Sequence, residues 1–76
     1  MKTEDEKTLR GKVRGWYEGL SWDGRHDVAI DCSEGATGIR YDARLCLERI
    51  GLPRTRANVR VAGEQLLDLS EAEFQF

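Results

Sequence analysis

The sequence predicts an α+β fold: an antiparallel sheet of four or five short strands with one short helix, residues 42–50, lying across an open face, and a half-closed barrel as the nearest variant. Three observations predict it. Val28, Ile30 and Cys32 alternate with Asp27, Ala29 and Asp31, the period of a strand with one face buried. Glycines recur at Gly11, Gly15 and Gly19, where each would cost a helix roughly 1 kcal/mol relative to alanine. Residues 42–53 carry start and stop signals for a helix: Asp42 as a cap, Cys46, Leu47 and Ile50 toward a core, then Gly51 and Pro53 as terminators.

Each segment follows from the same rules. Lys2 to Thr8 lack an apolar stripe, so residues 1–8 read as a frayed N-terminus before a single domain over residues 9–76. Leu9 to Tyr17 fits a bent strand, because strands use glycine at bulges and bends; Leu9, Val13, Trp16, Tyr17 and Leu20 also recur at helical spacing, which keeps a helix as the alternative. Ser21-Trp22-Asp23-Gly24 reads as a tight turn. A strand over residues 27–32, a loop over residues 33–38 and a short strand at Ile39 and Tyr41 lead to the helix. Val59, Val61, Leu67 and Leu69 suit the inward face of a terminal hairpin around Gly63, and Ser70 with Glu73 resembles a capping box for a last turn. The principal rival is a three-helix arrangement with a small sheet, in which residues 4–20 and 64–74 are both helical.

Composition narrows the function classes only coarsely. The chain is 39% hydrophobic and 34% charged, which favours folding over disorder. A chain of this size buries about three fifths of its surface, so a deep enclosed substrate pocket is not expected. Cys32 and Cys46 sit among apolar neighbours and read as reduced core thiols. With no secretory signal and no apolar run long enough to span a bilayer, a cytoplasmic protein with no membrane partner is expected.

The formal net charge of −2 hides alternating blocks. Residues 40–60 carry Arg40, Arg44, Arg49, Arg54, Arg56 and Arg60 against Asp42 and Glu48, whereas residues 17–39 and 61–76 are acidic. Nine of the twelve basic residues are arginine, whose planar fork suits phosphate and carboxylate. Arg44, Arg49, Arg54, Arg56 and Arg60 therefore form a candidate nucleic-acid patch, to which Trp16, Trp22 or Tyr41 could add stacking. The competing surface is a protein interface of Trp22, Asp23, Asp27, Phe74 and Phe76, with Trp22 as the aromatic anchor.

Catalytic and metal sets are weak. His26 is the only histidine, bracketed by Asp23, Arg25 and Asp27, and no serine or cysteine near it has the sequence context of a nucleophile. In a strand Asp27 and Asp31 would stand about 13 Å apart, too far to share an ion, and Cys32, Cys46 and His26 lack zinc-type spacing. No cofactor or metal is expected. The reading that results is a non-catalytic protein-interaction or inhibitory module, acting as a homodimer or as a subunit of a larger assembly, with nucleic-acid binding through the arginines as the alternative.

Overall fold

A computed structural model describes residues 5–76, and they form a four-helix bundle: α1 (Glu6–Glu18), α2 (Trp22–Ser33), α3 (Ala36–Ile50) and α4 (Arg56–Phe74). There is no strand among the described residues, so the expected sheet and the barrel variant are both overturned. Residues 1–4 of the expected frayed terminus lie outside the described residues. Residues 6–8 are the first turn of α1, capped by Asp5, whose carboxylate accepts from the Thr8 amide at 3.0 Å.

Why helices won is visible in each misread segment. In α1, Leu9, Val13 and Tyr17 fall one turn apart and are buried, while Gly11 and Gly15 face solvent with nothing within 4 Å of a Cβ built on either. The glycines weaken α1 without re-routing it, because burying three large side chains at about 1.5–3 kcal/mol each outweighs their propensity cost. Gly11→Ala and Gly15→Ala should therefore each stabilise the protein by roughly 0.5–1 kcal/mol, seen as a higher urea midpoint; a lower midpoint would contradict the solvent-facing placement.

In α2, Val28, Ala29 and Cys32 are buried and Ile30 is 42% exposed, a helical pattern that only resembles alternation. Ser21 and Gly24, expected in a turn, form its cap: the Gly24 amide donates to Ser21 Oγ at 3.2 Å. Residues 36–41, expected as loop and strand, are the first half of α3. The helix expected over residues 42–50 is thus longer at its start, and Asp42 is no cap but a buried mid-helix residue. It ends at Ile50 on Gly51, whose φ of 76° is the left-handed conformation that glycine favours.

The helix α4 replaces the expected terminal hairpin. It packs against all three other helices, so both Val59 and Val61 are buried although they are only two residues apart. Wrapping on several sides produces this mock period of two. Thr55 caps α4 through the Asn58 amide at 3.1 Å, and the buried Asn58 side chain donates to the Pro53 carbonyl at 2.9 Å, fixing the α3–α4 loop. Ser70, expected to begin a capping box, lies inside α4 with its hydroxyl donating to the Leu66 carbonyl at 2.7 Å. The core is Leu9, Val13, Tyr17, Val28, Cys32, Ala43, Cys46, Leu47, Val59, Val61, Ala62 and Leu66.

Two glycines set the interhelical spacing. A Cβ at Gly63 would lie 2.8 Å from Ile39 Cγ2, so α4 presents bare backbone where α3 crosses it. At Gly38 the obstruction is the main chain of Asp31, which brings α2 and α3 together directly after their Glu34-Gly35 turn.

Candidate functional site: an arginine-rimmed groove between α3 and α4

An open groove of about 730 Å³ runs along the α3–α4 pair. On α3, Ala36, Arg40 and Arg44 follow at four-residue intervals with Ile39 beside them; on α4, Arg56, Arg60, Gly63, Glu64 and Leu67 share one stripe with Val59. The missing side chain of Gly63 leaves Ile39 against the helix backbone. The floor is therefore aliphatic, made of Ala36, Ile39, Val59, Gly63 and Leu67, and the rim is Arg40, Arg44, Arg54, Arg56 and Arg60, with Glu64 as the one acidic lining residue among the described residues.

The five rim arginines are not equally committed. Arg60 pairs with Glu64 at 3.2 Å, and Arg54 lies 3.8 Å from Glu48. Arg40, Arg44 and Arg56 make no ion pair with any described residue. Glu64 is held from the other side by Arg10 of α1 at 2.9 Å, and Arg10 is also bound by Glu6 at 3.0 Å. These contacts hold the Glu64 carboxyl below its ordinary value, chiefly through the hydrogen bond from Arg10. The groove thus has an excess of cationic donors beside an apolar floor.

Four of the five arginines expected to form a patch, Arg44, Arg54, Arg56 and Arg60, line this groove. Arg49 does not; it is exposed on α3, five residues beyond Arg44 and so turned to another side of the helix. Arg40, absent from that expected set, completes the rim. Its signal was its position one helical turn before Arg44, which has meaning only once α3 is known to begin at Ala36. No aromatic ring lines the groove.

The aromatic residues converge elsewhere. Trp22 stacks on His26 with ring centroids 4.8 Å apart, and Phe74 meets Trp22 edge-on at 5.7 Å. The expected interface residues Trp22 and Phe74 are thereby joined across α2 and α4, with Asp23 exposed beside Trp22, Asp27 exposed on α2 and Phe76 44% exposed beyond α4. His26, weighed above as the centre of a catalytic set, is one ring of this stack.

Next along the same two helices, Arg25 binds Glu73 at 3.0 Å and donates to the Leu20 carbonyl at 2.7 Å, while the Tyr17 hydroxyl donates to Glu73 at 2.6 Å. Burial and the Glu73 carboxylate raise the Tyr17 hydroxyl well above its ordinary range, and the Tyr17 hydrogen bond lowers Glu73. No family model, curated protein or solved structure matches the chain.

The candidate nucleophiles are occupied. Burial pushes the Cys32 thiol up to about 11 and that of Cys46 up to about 12, so little of either is thiolate near neutral pH. Ser21 caps α2, and the hydroxyls of Ser33 and Ser70 donate to backbone carbonyls. Among the described residues no three His, Cys, Asp or Glu side chains gather as metal ligands. Asp27 and Asp31, argued apart on strand geometry, in fact stand one turn apart along α2, with Asp23 a further turn before them. No helix among the described residues is long and apolar enough to cross a membrane.

Proposed function

We propose that the protein is a non-catalytic protein-interaction module of the cytoplasm, and that its working surface is the groove between α3 and α4. The observation that carries this reading is the pairing of an aliphatic floor with Arg40, Arg44 and Arg56, three cations that make no ion pair with any described residue. Guanidinium groups around an apolar trough match a protein surface with anchoring side chains at its centre and carboxylates at its edge. Single-stranded nucleic acid is held differently, by stacking its bases on aromatic rings along a basic track. In this chain the Trp22–His26–Phe74 stack lies away from the arginines, and aliphatic side chains occupy the place where bases would stack.

The test is site-directed photo-crosslinking in cells. Photo-leucine in place of Leu67 should capture one protein at near-stoichiometric yield, and capture should be lost when Arg44→Glu and Arg56→Glu are introduced together, with helical content unchanged by circular dichroism. A crosslinker at Asp27, outside the groove, should not capture that protein. Recovery of nucleic acid from position 67 would transfer the groove to the nucleic-acid alternative, and capture from Asp27 alone would move the interface to the aromatic cluster.

A further inference from the structure

The groove's dimensions and charge define what fits it. From Arg56 to Leu67 the α4 wall runs for three helical turns, about 16 Å at 1.5 Å per residue. A trough between two helices with an aliphatic floor receives a third helix through apolar side chains at i, i+3 or i+4, and i+7. The guest's flanks would then pass along both rims. Arg40 and Arg44 stand on one side and Arg56 and Arg60 on the other, so a guest bearing acids on either side of its apolar stripe meets donors on both edges.

Resting on the interaction-module reading, we propose that the partner of this groove is an acidic amphipathic helix of about three turns, and that Glu64 is an internal competitor for its carboxylates. Glu64 Oε2 occupies Arg60 at 3.2 Å while Oε1 is held by Arg10 at 2.9 Å. A guest carboxylate that takes Arg60 displaces only one of these two contacts, since Arg10 keeps both Glu64 and Glu6. Glu64 thus remains at the rim as a like charge beside every incoming acid. Its replacement by a neutral isostere releases Arg60 and removes that repulsion, which gives the proposal a gain of affinity as its signature.

The experiment uses the full chain and a fluorescent helical peptide of about 15 residues, with leucine at i, i+4 and i+7 and glutamate on both flanks of that stripe, titrated by anisotropy. Expected is saturable binding that weakens at least about tenfold when the peptide's glutamates become glutamines, and that is lost when its leucines become serines. Arg44→Glu with Arg56→Glu should abolish binding, and Glu64→Gln should tighten it by roughly threefold. Thermal melts of each variant separate loss of the groove from loss of the fold. The proposal is overturned if the glutamate peptide does not bind, if its lysine counterpart binds as well, if Glu64→Gln weakens binding, or if a single-stranded oligonucleotide displaces the peptide more effectively than unlabelled peptide does. Should the peptide fail while photo-leucine at position 67 still captures a protein, the acidic helix falls and the interaction module stands; should both fail, both readings fall.

Discussion

Gly38→Ala should be the most damaging single-methyl change in the chain, lowering stability by about 2 kcal/mol or more and the melting temperature by roughly 10 °C. A Cβ at this position would lie 2.9 Å from the Asp31 carbonyl carbon and 3.2 Å from its Cα, and would run into the carbonyl oxygen itself. The obstacle is backbone in the last turns of α2, tied to α3 by a turn of two residues, so no rotamer change can make room. Helices α2 and α3 would have to separate, loosening the core around Cys32, Ala43 and Cys46. For a chain whose whole stability is on the order of 4–11 kcal/mol, this is a large fraction. The measurement is a urea and a thermal melt of Gly38→Ala beside Gly11→Ala, since the same added methyl should act with opposite signs at the two sites. Equal effects at both would mean that α2 and α3 do not approach through Gly38.

That contrast explains where sequence reasoning stopped. A glycine that relieves a crossing and a glycine that merely weakens a helix are the same letter, and only the neighbouring chain distinguishes Gly38 from Gly11. The stop at Gly51 and Pro53 was legible because its signals are local. The strand readings of residues 27–32 and 59–61 failed because burial on more than one side of a helix mimics alternation. In α4 Val59 and Val61 face different neighbours, and in α2 the exposed Ile30 carried the appearance of a strand residue. The arginine patch was largely legible from residue type and density, since Arg44, Arg54, Arg56 and Arg60 are close in sequence on either side of a helix stop. Its aliphatic floor was not, because Ile39 and Leu67 meet only through the α3–α4 pairing. The sequence named Trp22 and Phe74 as candidate interface residues but gave no sign that they touch or that the His26 ring joins them, because that contact exists only through the α2–α4 packing.

Asp42→Asn should stabilise the bundle by roughly 2 kcal/mol or more at pH 8 and flatten its pH dependence between about pH 4 and 8. Asp42 is 3% exposed, and its Oδ2 atom is buried without a hydrogen-bond donor among the described residues. Burial is the main cause that pushes its carboxyl up to about 8, reinforced by a hydrogen bond shared with Asp31 and by the charges of Asp31 and Asp27 on α2. The nearby thiols do not compete for the proton, because burial keeps Cys32 and Cys46 protonated in the same range.

The sign follows from proton counting. Between the ordinary carboxyl value of 3.8 and about 8, the folded chain holds a proton on Asp42 that the unfolded chain has released. Stability from this group is therefore complete below the unfolded value, declines as pH rises through the interval, and is lost above the folded value. Asp5, Glu64 and Glu73 act oppositely, since hydrogen bonds from Thr8, Arg10 and Tyr17 hold them below their ordinary values and their contribution is lost only in acid. The wild-type melting temperature should accordingly peak in mild acid and fall toward pH 8. The asparagine introduced by Asp42→Asn would keep the shape, donate to Asp31 and carry no charge to desolvate. Asp31→Asn separates the two causes, because it removes the paired charge but leaves Asp42 buried, and so should retain part of the slope. A wild-type melting temperature that is flat or rises from pH 5 to 8, with Asp42→Asn no more stable at the upper end, would show that the α2–α3 contact carries an ionised Asp42 without penalty.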